Sequence, residues 1–124
     1  MIKPIPKRML VNSVTYEEYV NDTGEGSYYK SPITLDNVKV DEQKQFSYTN
    51  NGKEVVGNGI MFYDLVNSDG LTSEPINESI ITFNGKKYTI KDLDILRAND
   101  NEPHHYEILL KWKHLIILMK LLIG

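Results

Sequence analysis

An all-β, mainly antiparallel domain, built as a small barrel or sandwich with an extended N-terminal arm, is the fold class this sequence predicts. Three observations carry the prediction. Val, Ile, Thr, Tyr and Phe gather in short runs that alternate with polar residues. Asn, Gly and Asp turns separate those runs at short spacing. One pair of runs, Ser79–Phe83 and Lys86–Ile90, meets at a two-residue Asn84-Gly85 turn. The chain has 124 residues, which fits one domain. That length supports a core without a disulfide or metal staple. The expected organisation is an arm over residues 1–8, a β domain over 9–112 and an atypical apolar tail over 113–124. A short C-terminal helix remains an alternative for the last residues.

Lys3-Pro-Ile-Pro-Lys7 carries alternate prolines and predicts an extended arm, because proline lacks the amide donor and restricts its predecessor. Met9 to Val20 is rich in Val, Thr and Tyr and reads as a strand, with helix competing over Tyr16 to Val20. Asn21 to Ser27 reads as a turn or loop. In the next strand Ile33, Leu35, Val38 and Val40 alternate with a slip at Asp36-Asn37, which predicts a bulge or bend. Phe46 and Tyr48 lead into the hairpin signal Asn50-Asn-Gly52, and Val55 to Tyr63 returns. Gly57 and Gly59 predict a bend or a close backbone approach in that return strand. Ile60 to Tyr63 is apolar on both faces and reads as a central strand. Asn67 to Pro75 is a loop. The Asn84-Gly85 turn pairs Phe83 with Lys86, Ile81 with Tyr88 and Ser79 with Ile90, which puts Ile81, Phe83, Tyr88 and Ile90 on one face. Tyr106, Ile108, Leu110 and Trp112 line one face of the last strand. Lys113 to Gly124 has no acid and little alternation, and at that length it is too short to span a bilayer, which takes about 20 apolar residues. It predicts a segment packed on the core or on a partner.

Charge and composition exclude several function classes. The chain has no cysteine, so no disulfide, thiolate nucleophile or cysteine-ligated zinc is available. Met1 to Leu10 has no apolar stretch of signal-peptide type. All 17 acidic residues fall between Glu17 and Glu107, against eight basic ones there, so this body carries a net −9. Such a body repels phosphate backbones and argues against sequence-specific nucleic-acid binding.

Candidate chemistry is sparse. His104-His105, with Asp100 and Glu102 nearby, is the one metal-like cluster, and a small metal enzyme centred there is one reading. Adjacent strand residues point to opposite faces, however, so the two imidazoles are not expected to converge. Glu17-Glu18, Asp41-Glu42 and Asp92/Asp94 are carboxylate pairs for which solvation is the expected role. Gly24-Glu-Gly26 lacks the spacing of a phosphate loop. Tyr28-Tyr29-Lys30 fits a protein interface better than a base-stacking platform in so acidic a chain. No catalytic, cofactor-binding or metal residue is assigned, no cofactor is expected, and the expected function is not enzymatic.

Ile2 to Leu10, Val14-Thr-Tyr16, Gly57-Asn-Gly59, Ile81 to Ile90 and His104 to Glu107, in this order and spacing, resemble the minor capsid or head–tail connector proteins of tailed phages and prophages of Gram-positive bacteria. The resemblance implies a structural virion subunit, made in the host cytoplasm, that completes the head or joins head to tail. It implies assembly with portal, capsid or tail components, in a homo-oligomeric ring, without a membrane. Lys3 to Arg8 are the residues expected to touch a neighbour. Relatives of this pattern end soon after the histidine-opened strand, so Trp112 to Gly124 reads as a departure, of a kind that frameshift or readthrough would produce. The alternative function is a β interaction module of a tail or host-facing protein.

Overall fold

The computed structural model describes residues 3–23, 26–97 and 102–113. Among the described residues, ten strands follow a 3₁₀ turn at Lys7–Met9: β1 (Asn12–Glu17), β2 (Tyr19–Thr23), β3 (Gly26–Tyr29), β4 (Ile33–Asp41), β5 (Gln45–Thr49), β6 (Gly52–Gly57), β7 (Gly59–Asp64), β8 (Ile80–Phe83), β9 (Lys86–Arg97) and β10 (Pro103–Trp112). Six of them close a barrel in the order β1-β4-β7-β10-β9-β8. Every pair is antiparallel, and β1 meets β8 through Thr15–Thr82 and Glu17–Ile80 to complete the circle. Closure removes most of the free sheet edge that an open sheet would present.

Local rules explain much of this. The β8–β9 register pairs Phe83 with Lys86 and Ile81 with Tyr88, as the Asn84-Gly85 turn predicts. Both turn residues have positive φ, 50° and 77°, which suits the right-handed twist of the strands they join. The slip at Asp36-Asn37 is a bulge. Asn37 has φ 55°, and the β1–β4 register shifts between Asn12–Val38 and Val14–Leu35. Gly57-Asn58-Gly59 breaks the return strand into β6 and β7. A Cβ on Gly59 would lie 2.9 Å from the Asp41 carbonyl oxygen, so close backbone approach demands glycine there. Asn58 stitches the break to β10: its N–H donates to the Leu110 carbonyl at 2.7 Å, and its Oδ1 accepts the Trp112 N–H at 2.9 Å.

Side chains from all six barrel strands fill the interior. Leu35, Met61, Ile81, Tyr88, Ile90 and Ile108 have no exposed surface. Burying each such side chain contributes about 1.5–3 kcal/mol. Tyr106, Ile108 and Leu110 share the inner face of β10, and Trp112 packs against the edge of the core. Ile80, on the opposite face of β8 from Ile81, is buried as well.

Tyr16 to Val20 is strand, as read, and not the competing helix, with a break only at Glu18. Two local expectations are corrected. Asn21 to Ser27 is largely not a loop: it supplies parts of β2 and β3, an antiparallel hairpin outside the barrel, with Gly24 and Glu25 outside the described residues. Met9, expected in a strand, ends the 3₁₀ turn instead. Residues 114–124, with the alternative C-terminal helix, lie outside the described residues.

Candidate interaction surfaces

Asp64 organises one end of the barrel. Its carboxylate is fully buried, at the end of β7. Oδ1 accepts the Ile5 N–H at 2.9 Å. Oδ2 accepts the N–H groups of Val66 at 3.0 Å and Asn67 at 2.8 Å, capping the turn that follows. The Asp64 N–H donates to the Ser68 hydroxyl, which donates in turn to the carbonyl of the bulged Asn37. Asn67 Nδ2 donates to the Ile5 carbonyl at 2.8 Å. The carboxylate therefore joins arm and turn, and the backbone N–H of the same residue reaches the bulge through Ser68. Sequence reasoning missed it; the signal was an Asp closing an apolar strand three residues before an Asn, the pattern of an Asx turn.

The arm is a strap on its own barrel. Besides Ile5, the Lys3 carbonyl accepts from His104 Nε2 at 2.6 Å. Leu10, just past the 3₁₀ turn, is buried and anchors the far end. The Lys3 carbonyl and both backbone groups of Ile5, the residue between the prolines, face the barrel.

His104 and His105 do converge, contrary to expectation. Their Nδ1 atoms are 2.8 Å apart and the rings meet edge to face. The cause is a register shift in β10, where Pro103 faces Arg97 and His105 faces Leu96, leaving His104 as the extra residue of a bulge. The Lys3 carbonyl can only accept, so the His104 proton sits on Nε2. In a neutral pair, His104 Nδ1 then accepts from His105 Nδ1–H. His105 Nε2 lies 3.6 Å from a Glu107 carboxylate oxygen. Both His104 nitrogens are committed to protein groups, which leaves no lone pair for a metal. Glu102 is exposed, and Asp100 lies outside the described residues. Among the described residues no group of three metal-ligating side chains converges.

The carboxylate pairs have separate fates. Glu18 binds Lys30. Glu42 accepts from the Tyr88 hydroxyl at 2.7 Å and from Lys86 at 3.1 Å. The Tyr88 hydrogen bond, then the Lys86 bond, hold the Glu42 carboxyl below its usual range. Asp92 and Asp94 share an outer face with Glu107, around a shallow depression of about 140 Å³. Tyr29 stands edge-on to Tyr19, and Lys113 lies over its ring at 5.0 Å. Tyr28 is exposed.

Two further surfaces are built for contact. The β5–β6 hairpin pairs only with itself and projects beyond the barrel. One face carries Phe46, Tyr48 and Val55, all exposed. Lys53 lies across from Tyr48, with its ammonium 3.8 Å over the Phe46 ring. At the opposite end of the barrel, a groove of about 360 Å³ runs along the 65–74 loop. Tyr63 and Tyr106 form its floor, stacked at 6.1 Å with 25° between planes. Burial, then the negative charge of Glu74, push the Tyr106 hydroxyl up.

A closed barrel with a docked strap and an exposed apolar hairpin displays surfaces suited to contact with other proteins. A family model described as minor capsid protein matches residues 6–110. The chain belongs to the minor capsid protein family. That match starts within the strap and ends on β10, so it takes in both hairpins and all of the barrel but Lys111 and Trp112. No curated protein and no solved structure matches the chain. As a minor capsid protein it is a structural component of the phage virion, in contact with other virion proteins. No helix among the described residues is long and apolar enough to cross a membrane.

Proposed function

We propose that this minor capsid protein is a head-completion or head–tail connector subunit that acts in a homo-oligomeric ring, by packing and docking between proteins and not by chemistry. The observation that carries the reading is the family match over residues 6–110, which spans the barrel and the surfaces it displays. The acidic body supports it: a conduit wall of net −9 between Glu17 and Glu107 repels passing DNA and does not grip it. Portal, capsid or tail components are the neighbours this role requires. The strap, the barrel and the residues after 112 act as separate parts, with the barrel as the scaffold.

Deleting the gene from its phage tests the reading, with electron microscopy of the lysate as the readout. DNA-filled heads and unattached tails are expected, restored to whole virions by the gene supplied in trans. Normally joined virions in the deletion strain would overturn it.

A further inference from the structure

We infer that the β5–β6 hairpin of one copy docks into the Tyr63/Tyr106 groove of a second copy, head to tail. This deepens the proposed ring and rests on it.

The hairpin needs a cover. Two-stranded hairpins are marginal in water on their own. This one holds Tyr48 at 76% exposure and Phe46 at 40%, on the same face as Val55. The groove needs an occupant of matching kind. Its sides are Leu65, Leu71 and Val66, the last at 73% exposure, and Asp69 and Glu74 stand among its lining residues. Its volume of about 360 Å³ lies in the range, roughly 300–1,000 Å³, of pockets that enclose small ligands. One tyrosine ring fits over the stacked tyrosines, with the neighbouring Lys53 ammonium brought to Asp69 and Glu74.

Charge selects a second copy as the occupant. Strand directions put the end of β4, the start of β7, the Asn84-Gly85 turn and the end of β10 at the hairpin end. Lys44, Lys53, Lys86, Lys87, Lys111 and Lys113 gather there, against Asp41, Glu42 and Glu54. The groove end has Glu17, Glu18, Asp36, Asp69, Glu74, Glu78 and Glu102, against Lys3, Lys30, Lys91 and Arg97. Like ends repel and unlike ends attract, so the chain complements itself only in the head-to-tail sense. Contacts between two different patches repeat from copy to copy and close a ring when the rotation allows.

Sedimentation velocity of the purified full chain over a concentration series tests this. The wild type is expected to associate with rising concentration. Tyr48→Ala, Lys53→Glu and Glu74→Lys are each expected to weaken association tenfold or more, and Lys53→Glu combined with Glu74→Lys to regain most of it. All three positions are exposed in the single chain, so unchanged circular dichroism and thermal midpoints serve as the folding control. A wild type that stays monomeric, single variants that associate normally, or a double variant no better than either single one would overturn the inference. Tailless heads from the gene deletion, alongside a monomeric purified protein, would leave the proposed function standing and remove this contact alone.

Discussion

His104 Nε2 lies 2.6 Å from the carbonyl oxygen of Lys3, across 101 positions of sequence. This contact, the Ile5–Asp64 bond and the Asn67–Ile5 bond hold the strap to the barrel. His104→Ala removes the first and leaves the Lys3 carbonyl to water. A hydrogen bond of this kind contributes about 1 kcal/mol. Trypsin cleavage after Lys7 and Arg8 in the native protein is expected to speed up about fivefold, with the barrel intact by circular dichroism. An unchanged cleavage rate would show that the imidazole does not hold the strap.

Asp64→Asn tests the junction itself. An amide keeps one acceptor oxygen and turns an NH₂ group toward donors that needed the second. Either the Ile5 N–H or the Val66 and Asn67 N–H groups then lose their partner. The expected loss is about 2 kcal/mol or more in urea unfolding, larger than for removal of residues 1–6, which spares the turn. Equal losses for the two variants would mean that Asp64 matters only through the strap.

Gly70 and Gly85 both hold positive φ, 123° and 77°, but in different surroundings. A Cβ at Gly85 meets open space, while at Gly70 it runs into the Thr34 carbonyl oxygen. Gly85→Ala therefore loses about 1 kcal/mol from backbone strain alone. Gly70→Ala adds a backbone clash and is expected to lose about 3 kcal/mol or more. Chemical denaturation of both variants checks the ranking.

Glu42 gives the fold an acid-sensitive contribution. Its native carboxyl is lowered by Tyr88 and then Lys86. A lowered carboxyl stabilises the fold fully above its ordinary value of 4.5 and loses that contribution as pH falls through the lower native value. Glu42→Gln removes it. The stability gap between wild type and variant is expected to be greatest near neutral pH and to close in acid. A gap that persists at low pH would assign the effect to hydrogen bonding and not to charge.

Local chemistry was legible in the residues, and long-range pairing was not. The Asn84-Gly85 register and the Asp36-Asn37 bulge follow from turn residues and a broken alternation, both within one hairpin or strand. Barrel closure through β1 and β8 has no such mark, because alternation states which face is buried and not which strand lies beside it. The hairpin of β2 and β3 was obscured by Gly24-Glu-Gly26, which reads equally as a loop. The meeting of His104 and His105 was hidden for a different reason. Alternation assumes a regular pleat, and the extra residue after Pro103 breaks it. Asp64 and the strap depend on contacts about 60 residues apart, for which composition holds no signal.

Pro4 and Pro6 have a consequence beyond pre-shaping the strap. Ile5 turns both its backbone groups inward, to Asp64 and Asn67, so the outward edge belongs to the prolines. Pro6 spends its carbonyl on the Met9 N–H, and neither ring nitrogen carries a hydrogen. The outer rim of the strap at Pro4 to Pro6 is thus left without a backbone donor. Such a rim makes a poor template for β-pairing with another chain. Two imino acids act as an insulating border against the addition of a stray strand to the strap.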